Sequence, residues 1–142
     1  MKLKHRLTQL LTLLAALPAI AAAESYPAKP VTLVVAYAPG GMTDILTRRI
    51  AADLQTRLGK PFVVENKPGA TGQIATEYVS RQKPDGYTVL ITTNTTHAAN
   101  EHLYKSLTYD PVKDFAPLTL LGKGGQIMVV TPNSPAKTVG DF

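Results

Sequence analysis

The sequence predicts an α/β fold with a parallel-type sheet and flanking helices, and three observations carry that prediction. "KPVTLVVAY" is a near-continuous apolar, β-branched run, as expected of a strand covered on both faces. From Thr43 onward the period changes, with Leu46, Ile50, Leu54 and Leu58 recurring every four residues. Strand-like and helix-like stretches then alternate through short connections, which favours parallel pairing with right-handed crossovers.

Taken in order, the first strand ends at "APGGMT", and the first helix follows with Thr43 as N-cap and Asp44 in its first turn. Ile45 and Ala51 widen its apolar stripe, Arg48, Asp53 and Arg57 face water, and Gly59 closes it in the left-handed conformation. "PFVVE" is the second strand and "NKPGATG" a loop, where Asn66, Gly69 and Gly72 read first as turn-forming. "QIATEYVSRQ" is a second helix with Ile74, Tyr78 and Val79 inward. Pro84-Asp85-Gly86 turns the chain into a third strand, "YTVLITT". A polar loop "NTTHAANEHLY" follows, then two further predicted strands, "LTLLG" and "QIMVVTP". "SPAKTVGDF" reads as a loop and the beginning of a helix.

The N-terminus has the pattern of a secretory signal. A basic "MKLKHR" precedes an apolar "LTQLLTLLAALPAIAAA", which closes on Ala21 and Ala23 in an A-x-A arrangement. Residues 1–23 are therefore expected to be cleaved after Ala23, leaving a soluble exported protein of 119 residues, periplasmic in location. Losing Lys2, Lys4 and Arg6 leaves 12 basic residues against 10 acidic ones, a net +2 instead of +5. The remaining basic residues are scattered among few aromatics, so no nucleic-acid surface is expected. With no cysteine, disulfides and lipid attachment through cysteine are excluded.

"YAPGGMTDI" raises the functional question. Two glycines between a strand and a helix either permit a tight turn and nothing more, or open the backbone to an approaching ligand. If the strand order is 2-1-3, the winding reverses between the first and third strands, where open α/β sheets bind ligands. The loop after the first strand brings a helix N-terminus with no side chain at Gly40 or Gly41. The loop after the third brings hydroxyls and an amide, from Thr92 through Thr96 and Asn100. Together they fit a small carboxylate held by neutral donors, with Asp44 competing for the same positive helix end. A phosphate P-loop and a G-x-G-x-x-G fingerprint are both absent.

In order and spacing, "YPAKPVTLVV", "APGGMTD", "LGKPFVVENKPGATGQIATEYV", "KPDGYTVLITT", "THAANEHLYKSLTYDPVKDFAPLTLL" and "MVVTPNSPAKTVGDF" resemble the extracytoplasmic solute receptors of tripartite tricarboxylate transporters, the Bug or TctC-like family. The resemblance implies a periplasmic-binding-protein-like, venus-flytrap type II fold that closes on a small organic acid and delivers it to membrane permease subunits. The acid could be a mono-, di- or tricarboxylate or an acidic amino acid. It implies ligand contact by Tyr37, Pro39, Gly40, Gly41, Thr43 and Asp44 in the first loop, and by Thr93, Asn94, Thr95 and His97 in the second. No cofactor and no metal are implied, and the complete receptor is expected to be monomeric. Against that pattern, residues 24–125 are expected to form part of the first lobe, and residues 126–142 the crossing strand and the start of a truncated second lobe. A single incomplete lobe is expected to bind weakly or not at all, and a sensing role is an alternative to transport.

An enzyme is not expected. No G-x-S-x-G elbow presents a nucleophile. His97 and His102, five residues apart, fall roughly 140° apart around a helix and do not converge on a metal. Arg48 and Arg49 read as a solvated helix face rather than a carboxylate clamp.

Overall fold

The computed structural model describes residues 25–125 and 127–141, so the signal-like stretch expected over residues 1–23 lies outside the described residues. Three parallel strands, β1 (Val31–Val35), β2 (Phe62–Asn66) and β3 (Thr88–Ile91), form a sheet in the order β2-β1-β3. Val31 stands opposite Phe62, and Thr32 opposite both Val63 and Thr88. This is the 2-1-3 order, so the winding reverses between β1 and β3.

β1 is central, and its alternation explains both layers. Val31 and Leu33 pack with Ala51 of helix α1 (Met42–Leu58), backed by Phe62, Val64, Tyr87, Val89 and Ile91. Val34 and Ala36 face the other way, onto Ala75 of helix α2 (Gln73–Ser80), with Tyr37, Val79 and Leu90 around them. Because side chains alternate across a strand, one five-residue run supplies both cores. Fully burying each valine contributes about 1.5–3 kcal/mol.

The helices differ from expectation in detail. α1 begins one residue before Thr43, and Gly41 occupies the N-cap position with an extended φ of −76° and no side-chain cap. Its buried face is Asp44, Thr47 and Ala51, while Ile45, Leu46 and Leu58 are exposed. The stripe is rotated because Asp44 is drawn inward by polar partners at the sheet end. Gly59 closes α1 as expected, with φ 67° and its N–H donating to the Gln55 carbonyl. In α2, Ala75 and Thr76 are buried and Val79 packs inward, but Ile74 and Tyr78 are exposed. Small residues at 75 and 76 let α2 lie close to the sheet.

After β3 the chain makes a π-helical turn, Thr95–Ala99, and a short helix α3, Asn100–Leu103. The strands expected at "LTLLG" and "QIMVVTP" are not formed among the described residues of those stretches. Leu118, Leu120, Ile127 and Val129 are exposed there. A strand needs a hydrogen-bonding neighbour, and none of the three strands pairs with these stretches. The end of the described chain does start helically, as a 3₁₀ turn at Val139–Asp141 in which Asp141 accepts from the Lys137 and Thr138 amides.

Candidate ligand-binding site

The loops that leave β1 and β3 meet at the carboxyl end of the sheet. Tyr37 and Thr93 join them directly, with Tyr37 Oη 2.5 Å from Thr93 Oγ1. Thr93 Oγ1 also accepts from the Thr95 amide at 3.3 Å and donates to the Thr95 hydroxyl at 3.2 Å. Two of the predicted first-loop and second-loop residues are therefore in contact, and Thr95 orders the second of them. Asn94 is exposed beside them.

Pro39, Gly40 and Gly41 are exposed at the entrance to α1. Gly40 has φ 83°, a conformation side-chain-bearing residues rarely adopt. Gly41 differs: its φ is ordinary, and a Cβ would meet nothing closer than the Ala38 carbonyl at 3.6 Å. Neither backbone nor packing requires glycine at 41. The α1 entrance carries no side-chain cap, so the N–H groups of its first turn, Thr43 included, face outward with the positive end of the helix dipole.

Asp44 does not share that outward role. Its side chain is buried, and both oxygens are occupied. Oδ2 accepts from the Gly40 amide at 2.9 Å and from Arg48 Nε at 3.0 Å; Oδ1 accepts from Asn66 Nδ2 at 2.9 Å. Arg48 also donates to Asn66 Oδ1, and Asn66 to the Tyr37 carbonyl. Arg48, the Gly40 amide and Asn66 together hold the Asp44 carboxyl well below the usual range, at about 2. The competition expected between Asp44 and an anionic ligand is thus removed, since Arg48 neutralises the carboxylate and the turn encloses it. Arg48 is the residue the sequence undervalued. Its i, i+4 spacing from Asp44 was the available signal, whereas the reach to Asn66, eighteen residues on, left none.

His97 is held by Thr96 and Phe115. Its Nδ1 is 2.7 Å from Thr96 Oγ1 and its ring meets the Phe115 ring edge-on at 4.9 Å. Burial lowers its pKa, so the ring is neutral at neutral pH. His102 pairs with Glu101 instead, and no group of three metal-ligating side chains occurs among the described residues.

A third element borders the same place. Residues 69–72 all have positive φ, at 129°, 46°, 51° and 87°. A Cβ at Gly72 would lie 2.6 Å from Thr96 Cγ2 and 3.4 Å from Ala36 Cβ. The turn is therefore wedged between the end of β1 and the π-helical turn. An open concavity of about 600 Å³ lies elsewhere, bordered by Tyr104, Lys105 and Asp110, and does not include the glycine loop. Converging donors, not enclosed volume, mark the candidate site.

Comparison with known proteins assigns the chain to a family. Residues 46–142 match the tripartite tricarboxylate transporter family receptor. The chain belongs to this family. It resembles the periplasmic binding protein BugD at 43% identity and a TM-score of 0.60, over 65% of the chain and 30% of BugD. It resembles MatC of Rhodopseudomonas palustris, solved with bound malate, at 42% identity and 0.64, over 68% of the chain and 33% of MatC. A further R. palustris protein, solved with adipate, is 45% identical with a TM-score of 0.59, over 61% and 29%. The fold is accordingly that of a periplasmic binding protein, present in part. The first curated relatives, at 32–36% identity, are longer proteins, of which the chain spans 36–39%. The family is one of receptors that bind solutes, not of enzymes.

Proposed function

We propose that the chain is the first-lobe part of an exported receptor that captures a small organic acid for a tripartite tricarboxylate-type transporter. The observation that carries the reading is the union of two neutral donor sets at the sheet end, closed by the Tyr37–Thr93 hydroxyl contact beside an uncapped helix entrance. Such an entrance favours an anion through oriented N–H dipoles, each favourable placement contributing about 0.3–1 kcal/mol. Gly41 supports the same reading, because its missing side chain leaves room for a ligand where the fold itself makes no demand. Pro39, Gly40, Gly41 and Thr43 supply the backbone approach, Tyr37, Thr93, Asn94 and Thr95 the polar side chains, and Asp44 and His97 the support behind them.

Malate in one relative and adipate in another favour a dicarboxylate. Export through a signal peptide cleaved after Ala23, residence in the periplasm and delivery to permease subunits complete the proposal. The exposed apolar residues from Leu118 to Val130 favour a second reading along the same line: residues 24–142 alone bind weakly, since a flytrap holds its ligand between two lobes.

Titration calorimetry of the complete two-lobed receptor with malate and adipate, against the uncharged diamide of each, tests the reading. Heat with the acids that disappears with the diamides, and in Gly41→Val, is the expected result. Equal binding of acid and diamide, or undiminished binding by Gly41→Val, overturns it.

A further inference from the structure

The left-handed turn at residues 69–72 holds two residues that carry side chains, Ala70 at φ 46° and Thr71 at φ 51°. Both conformations are disfavoured for such residues, and β-branched Thr71 is the more unusual case. Strain of this kind persists only where the surroundings impose it. Here the surroundings include the Tyr104 hydroxyl, 2.8 Å from Thr71 Oγ1, and one buried side chain that grips both the hydroxyl and the carbonyl of Thr71. Asn100, fully buried at the head of α3, donates from Nδ2 to the Thr71 carbonyl at 3.3 Å, and its Oδ1 accepts from the Thr71 hydroxyl at 3.3 Å.

Asn100 is in turn fixed from the opposite side. Its Nδ2 also donates to Tyr109 Oη at 3.2 Å, and that hydroxyl donates to the Thr96 carbonyl at 2.7 Å. Tyr109 is buried as well. The π-helical turn places Thr96 against Gly72 and Asn100 against Thr71, so two buried polar residues four apart grip consecutive parts of the same left-handed turn. The turn, thus pressed inward, sits against Ala36, the residue before Tyr37, and against Thr96, within the second loop.

We infer that Asn100 is a positioning residue for the candidate site: by clamping Thr71 and anchoring on Tyr109, it holds the left-handed turn as a wedge that sets the glycine loop and the threonine loop relative to one another. This rests on the reading of those two loops as the ligand-contacting elements. Asn100 hydrogen-bonds to Thr71 and Tyr109 and acts through residues 70–72.

Amide hydrogen exchange on the 142-residue chain tests the coupling without any ligand. In Asn100→Ala, exchange at the hydrogen-bonded amides of Gly72, Gly40 and Thr95 is expected to accelerate on the order of tenfold while β1 amides keep their protection. Tyr109→Phe keeps the ring and removes only the hydroxyl, so it should show the same pattern more weakly, and it serves in place of Asn100→Ala if that variant does not fold. A role confined to core stability is separated by rescue. Ala70→Gly, at an exposed residue whose φ glycine adopts freely, should restore loop protection in the Asn100→Ala background, or in Tyr109→Phe where that variant is used. Acceleration confined to Gly72, uniform acceleration that includes β1, or no rescue by Ala70→Gly overturns the inference. Malate and adipate titrations of the complete receptor run beside it: failure there counts against the ligand reading, whereas the exchange pattern alone decides the clamp.

Discussion

The two glycine-bearing turns at the sheet end, one at residues 40–41 and one at residues 69–72, look alike in sequence and differ in what they demand. Gly72 combines a φ of 87° with neighbours at 2.6 and 3.4 Å, so both conformation and space require the missing side chain. Gly40 has the conformation but open space, and Gly41 has neither constraint. One turn is filled by the protein; the other is left open by it. Glycine at 72 therefore belongs to the scaffold, whereas nothing in the fold itself requires glycine at 41.

Substitutions can break that contrast, and the largest effect is expected at Gly72. Gly72→Ala forces a left-handed alanine into contact with Thr96 and Ala36, and strain with overpacking should cost about 2–4 kcal/mol in urea denaturation. Gly40→Ala carries only the backbone strain and should cost about 1–2 kcal/mol by the same measurement. Gly41→Ala should change stability by no more than about 0.5 kcal/mol, yet weaken acid binding by calorimetry. A Gly41→Ala that destabilises as much as Gly72→Ala would erase the distinction between the turns.

Acid sharpens the contrast further, because only the open turn is braced by an ionised group. The Asp44 carboxyl is held at about 2, below an unfolded value of roughly 3.9. Its stabilising contribution is therefore complete above the unfolded value and fades as pH falls from about 4 toward 2. Stability measured across that interval should fall less steeply in Asp44→Asn than in the unaltered chain. Equal slopes would mean that Asp44 braces nothing. The residue 69–72 turn, held by neutral Asn100 and Tyr109, should show no matching change between unaltered chain and Tyr109→Phe.

The sequence disclosed the central layer because its signals were local. β-branched "VTLVV" next to a four-residue repeat and a closing Gly59 was enough to predict β1, α1 and the parallel alternation, and the observed order β2-β1-β3 is the one on which the candidate site's placement was conditional. What it hid was set by partners distant along the chain. Leu118, Leu120, Ile127 and Val129 have the composition of β1 but no strand beside them, so composition alone overpredicted two strands. The inward rotation of α1 depends on Asn66 reaching Asp44 across twenty-two residues, and the clamp on Thr71 comes from Asn100, twenty-nine residues away. The Tyr37–Thr93 contact spans fifty-six. Periodicity gives no hint of such pairs, because each belongs to the way elements dock and not to the pattern within one.

Arg48 has a kinetic consequence. It is the cation nearest the α1 entrance in the polar network described there, and Asp44 answers its charge at 3.0 Å. On the proposed reading, an incoming anion therefore meets a nearly cancelled pair there at long range and feels the helix amides only on arrival. Its rate of encounter should follow diffusion and orientation, with ionic strength having little leverage over it.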